Sequence, residues 1–140
     1  MTGRRGRVPL LLYQYTVGLC DAITGLLLVI APEWTLRTMG VKMLPHPTVF
    51  ASYIGSFVFG VGLTYIWCAA GWIPKNASAA HWQAQWFLTA LIRGLVALFI
   101  VCEIAAGALE KAWISVALFD GALAIIQWLG LGKGWVDIAY

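Results

Sequence analysis

Four ionisable side chains sit inside apolar stretches of this sequence, and any chemistry of the chain has to begin with them: Asp21, Arg93, Glu103 and Asp120. A charge near the centre of a bilayer costs about 2.5–3.5 kcal/mol on the insertion scale, so each needs a partner or a function. An arginine and an aspartate on adjacent helices neutralise one another, ideally through a bidentate pair. Two aspartates facing one guanidinium leave a surplus carboxyl, which must be protonated or find another donor. Such a carboxyl is also the group that binds a proton or cation in a transport path. Two amides extend the pattern, Gln14 seven residues before Asp21 and Gln127 seven residues after Asp120. That spacing returns each amide to nearly the same helix face as its carboxylate after two turns.

Other chemistry is poorly provided for. Cys20, Cys68 and Cys102 lie in apolar segments without Cys-x-x-Cys spacing or a neighbouring histidine, so small buried hydrophobes are expected. His46 and His81 fall in or beside loops on opposite sides of the membrane and cannot form one axial haem pair. The sequence has no phosphate loop, catalytic triad, metal-ligand cluster or mid-helix lysine for a Schiff base. No enzyme activity and no cofactor of its own are therefore expected. Tyr13, Tyr15, Tyr53 and Tyr65 offer contact to a quinone or lipid, although aromatic residues at helical spacing more often pack.

These groups must be positioned by membrane helices. The chain has 140 residues, of which 61% are hydrophobic and 11% charged, against about 25% charged in an ordinary soluble domain. That excludes a water-soluble globule. The net charge of +3 gathers at Arg4, Arg5 and Arg7 beside the first apolar run, a topology signal and not a nucleic-acid surface. Four runs are long enough to span a bilayer, at 9–31, 47–70, 82–106 and 112–131. The first exceeds a signal core of about 7–15 apolar residues and contains Asp21, so it is expected to remain as a span. Pro32 ends it, and the mixed stretch from Glu33 to Met39, broken at Gly40, reads as a short interfacial helix. The expected fold is all-α, a single integral membrane domain forming a four-helix bundle with that short helix after the first span.

Depth follows from a rise of about 1.5 Å per residue. Asp21 and Asp120 both come to lie about 18 Å from the cytoplasmic face, with Arg93 within one or two turns of that level. The third and fourth spans are joined through Glu110-Lys111 and should be antiparallel neighbours, which lets Arg93 reach Asp120. Glu103 falls near the outer interface, where a carboxylate reaches water or a neighbouring subunit. On the second span Ser52, Ser56, Gly60 and Thr64 recur every four residues, a small-residue stripe expected to pack against another helix, and Thr89 adds a hydroxyl one turn before Arg93.

Arg4, Arg5, Arg7, Lys75 and Lys133 fall on one side and Arg37, Lys42 and Lys111 on the other, which puts both termini in the cytoplasm. Trp34, Trp72, Trp82, Trp86, Trp113, Trp128 and Trp135 stand near segment ends, as an aromatic belt would. The triplet Asn76-Ala77-Ser78 matches a glycosylation acceptor, but a cytoplasmic loop does not meet that enzyme.

With Gly25-Leu26-Leu27-Leu28 closing the first span ahead of Pro32, and Glu103 and Gly107 late in the third, the pattern resembles the DoxX-like families of small bacterial four-helix membrane proteins. That resemblance implies association with membrane oxidoreductases or electron-transfer assemblies in the inner membrane. The expected function is an accessory or anchoring subunit of a larger respiratory or photosynthetic complex, with other membrane subunits and lipid as partners. The alternative is a homo-oligomeric proton-coupled transporter using Asp21, similar to the small multidrug resistance exporters in its four spans and mid-span carboxylate. A membrane enzyme acting on a lipid would need Asp21 and Glu103 in one cavity, and their depths differ.

Overall fold

Inside hydrocarbon every backbone N–H and C=O must be satisfied within the protein, and the apolar runs answer that requirement as helices. The computed structural model describes residues 3–70 and 79–138, with side chains over 8–70 and 80–137. Trp72, Pro74, Lys75 and the Asn76-Ala77-Ser78 triplet fall outside the described residues. The elements are α1 (Gly3–Ile30), α2 (Pro32–Thr38), α3 (Val49–Ala69), α4 (Ala79–Ala105) and α5 (Ile114–Gly132), with single 3-10 turns at Lys111–Trp113 and Trp135–Ile138. Among the described residues four stretches are long and apolar enough to cross a membrane: Val8–Ile30, Val49–Ala69, Ala80–Ala105 and Lys111–Gly132. The chain divides into two compact units, Met1–Ala77 and Ser78–Tyr140.

In the first unit the helix ends where the sequence supplies the means. Ala31 leaves helical geometry and Pro32 opens α2, where a missing N–H costs nothing. Gly40, at φ +88°, then closes α2: its N–H bonds Arg37 O at 2.9 Å and the Val41 N–H bonds Leu36 O at 3.0 Å. This is a Schellman turn, and Leu36 and Val41 are both buried beneath it.

Helices α1 and α3 meet on glycines. A Cβ built on Gly25 would lie 2.6 Å from Gly55 O and closer still to Phe59 N, while one on Gly62 would lie 2.6 Å from Gly18 O and closer to Ala22 N. Gly18 thus faces Gly62 and Gly25 faces Gly55, so the two helices run antiparallel. Each helix contributes its glycines seven residues apart, which is two turns, so both pairs fall on one face. The backbones touch without intervening side chains, the close approach that small residues permit between helices in lipid.

The stripe Ser52, Ser56, Gly60 and Thr64 is not the surface on which α3 packs on α1. Ser56 and Thr64 are exposed and donate to carbonyls of their own helix, Ser52 O at 3.1 Å and Val61 O at 2.7 Å, and a Cβ on Gly60 would meet nothing within 4 Å. Only Ser52 reaches across, donating to Val29 O at 3.4 Å. A hydroxyl that can bond its own preceding turn has no need of a neighbouring helix.

In the second unit α4 and α5 are joined by a tight connection. Gly107, at φ +78°, ends α4 in another Schellman turn, its N–H on Ile104 O and the Ala108 N–H on Glu103 O. The returning α5 runs antiparallel to α4, placing Gly121 opposite Ala97 and Gly130 against the Trp86 ring. A Cβ on Gly130 would also come within 2.9 Å of Trp135 Cε3. Trp86 and Trp82 are buried, whereas Trp34, Trp128 and Trp135 are exposed. Cys20 and Cys102 are also exposed, and only Cys68 is the buried apolar cysteine that the sequence suggests for all three.

Candidate functional site

The polar side chains of the second unit line one face of α4. Gln85, Thr89 and Arg93 follow at four-residue steps, which keeps them on one side of the helix, and all three are buried. Arg93 Nη1 donates to Asp120 Oδ1 on α5, in an ion pair whose side chains are 5% and 16% exposed. The Arg93 guanidinium carbon also lies 5.8 Å from the centroid of the Phe119 ring, close enough for a cation–π contribution. Two turns further along α5, Gln127 Nε2 donates to Thr89 Oγ1 at 2.7 Å. The threonine hydroxyl in turn donates to Gln85 O at 2.8 Å, so it accepts from α5 and donates within its own helix. The seven-residue spacing of Asp120 and Gln127 therefore places two polar links between the same two helices.

The Gln127–Thr89 link is a simple place to measure such a contact. Thr89→Val keeps the shape and removes the acceptor, and should destabilise the protein by about 0.6 kcal/mol, the usual size of an interhelical hydrogen bond in lipid. Equilibrium unfolding in bicelles would show it, and no change would mean that the amide finds an equivalent partner.

The first unit holds two more of the residues expected in the cluster. Gln14 and Asp21 are both buried on α1, on the face shared with Leu10, Val17 and Leu28, beside the glycine face. Glu103 is only half-buried, in the last turn of α4, where its carbonyl accepts the N–H groups of Ala108 and Leu109. The structure thus brings Arg93 to Asp120 and Gln127 to Thr89 within one unit, and it sets Gln14 with Asp21 on one face of another.

No protein-family model, curated protein or solved structure matches the chain. What the site can do is decided by its own atoms. Among the described residues no three His, Cys, Asp or Glu side chains gather as metal ligands. Tyr13 packs edge-on to the buried Tyr65 at 6.4 Å between ring centroids, and Tyr53 packs on Phe57 at 4.9 Å. Arginine and carboxylate cancel in charge, and the Gln127 amide N–H finds an acceptor in the Thr89 hydroxyl, so these polar atoms tie α4 to α5.

Two contributions were harder to see in the sequence. Gln85 follows from the four-residue step back from Arg93 through Thr89. The glycine pairs are marked by a seven-residue interval that occurs twice, Gly18 to Gly25 and Gly55 to Gly62.

Proposed function

We propose that the protein is an accessory or anchoring subunit of a larger bacterial membrane complex, acting by packing and not by turnover. One observation carries this reading: α4 and α5 are joined by polar side chains, Arg93 on Asp120 and Gln127 on Thr89. The outer positions are left to exposed Leu88, Leu95, Phe99, Leu118 and Ile125, side chains suited to lipid and to other helices. Helix α2 fits an interfacial role, with Leu36 buried while Trp34 and Arg37 are exposed, side chains suited to lipid headgroups. The arginines at the start of α1 favour an inner-membrane orientation with both termini in the cytoplasm. Together with the DoxX-like resemblance, this makes an electron-transfer assembly the proposed parent.

The test is purification of the tagged chain from native membranes in mild detergent. Larger cofactor-bearing membrane chains should copurify in fixed proportion, and a chain isolated alone or only with copies of itself contradicts the proposal.

Asp21 favours a second reading, because it is a carboxylate only 6% exposed inside a candidate span. As a proton-coupled transporter, the protein would lose substrate-driven proton flux in vesicles on Asp21→Asn. As a subunit, the same variant should carry no flux to lose and should reduce recovery of the assembled complex.

A further inference from the structure

At one end of the second unit α4 and α5 leave an open groove of about 430 Å³, lined by Ala80, Gln83, Ala84, Phe87, Trp128 and Leu131. Alanines one turn apart leave room on α4, and Phe87 meets Trp128 edge to face at 5.5 Å. The lining begins at the first residue of one candidate span, Ala80–Ala105, and reaches the penultimate residue of another, Lys111–Gly132. It therefore lies where hydrocarbon gives way to headgroups.

Two exposed charges of opposite sign stand at that end. Asp137, in the 3-10 turn after α5, accepts a hydrogen bond from Gln83 Nε2 at 2.8 Å, which ties it to the polar end of the groove. Lys133, two residues beyond Leu131, holds its ammonium 5.7 Å from the centroid of the Trp135 ring. An ammonium at the same end of the helix pair as an apolar slot suits a lipid phosphate, and a carboxylate tied to the slot through Gln83 suits a headgroup that carries its own cation.

We propose that this groove holds an acyl chain of an aminophospholipid, whose phosphate meets Lys133 and whose primary ammonium meets Asp137. The proposal rests on the membrane spans and not on the subunit reading, so the full chain purified by itself serves for the test. A choline headgroup has the same charges, but its three methyl groups leave no N–H to donate to Asp137. A glycerol headgroup has no cation at all.

The full chain, delipidated in detergent, would be incubated with phosphatidylethanolamine, phosphatidylcholine or phosphatidylglycerol of matched chains, and retained lipid counted by native mass spectrometry. Phosphatidylethanolamine should be retained several-fold over phosphatidylcholine. Asp137→Asn keeps an acceptor for Gln83 and should bring ethanolamine retention down to the choline level. Lys133→Gln should lower both, and Ala84→Trp, which fills the groove, should abolish retention. Equal retention of ethanolamine and choline lipids by the parent chain would overturn the proposal. So would a preference for phosphatidylglycerol, or an Asp137→Asn variant with its preference intact.

Discussion

Leucine in place of Gly25 or Gly62 should drive α1 and α3 apart. At both positions the space that a Cβ needs is occupied by the backbone of the opposite helix, 2.6 Å away at Gly55 O or Gly18 O and nearer at the adjoining amide nitrogens. Backbone in a continuous helix cannot swing aside as a side chain does, so the whole face must separate. Ordinary overpacking costs about 1–3 kcal/mol, and a clash against backbone should exceed that range. Either variant should lose its thermal transition in mild detergent or shift it far down. Gly60→Leu is the control: it lies on the same helix with nothing within 4 Å of its Cβ position, and should stay within about 0.5 kcal/mol of the parent. If Gly60→Leu matches Gly62→Leu in damage, then added bulk anywhere on α3, and not the glycine contact, is what both measure, since leucine is a better helix former than glycine.

The second large effect is expected at Arg93. Arg93→Ala leaves the Asp120 carboxylate, 16% exposed, in an apolar setting without its guanidinium. Breaking a buried ion pair by removing one member costs about 3–5 kcal/mol, because the remaining charge has lost its compensation. Arg93→Lys should fall between parent and alanine, since lysine restores the charge without the planar fork. Equilibrium unfolding in bicelles would rank the three proteins, and an Arg93→Ala variant as stable as the parent would remove the pair from any account of how α4 holds α5.

The sequence made some of this structure legible and hid the rest for physical reasons. The four apolar helices follow from hydropathy, because a lipid-facing helix must be apolar over most of its circumference. The start of α1 at Gly3 was hidden, since Arg4, Arg5 and Arg7 end the apolar signal at Val8 without ending the helix. The Arg93–Asp120 pair was accessible because a short connection forces antiparallel neighbours and the rise per residue then equates their depths. Asp21 is a different case: it belongs to the other unit, and no short turn joins its helix to α4 or α5. Four residues at strict four-residue steps, as from Ser52 to Thr64, drift about 120° around the helix, while the seven-residue glycine interval stays on one face. Trp82 and Trp86 looked like boundary residues by position alone; Gly130 is what makes room for the Trp86 ring inside.

A double-mutant cycle of Arg93→Leu and Asp120→Leu tests most directly whether intramembrane polar groups serve here to bind helix to helix. Unfolding free energies of the parent, the two single variants and the double variant in the same bicelles should give a coupling of about 2 kcal/mol or more, with the double variant more stable than either single one. Two penalties that simply add would contradict the account, because Arg93 and Asp120 would then be acting independently.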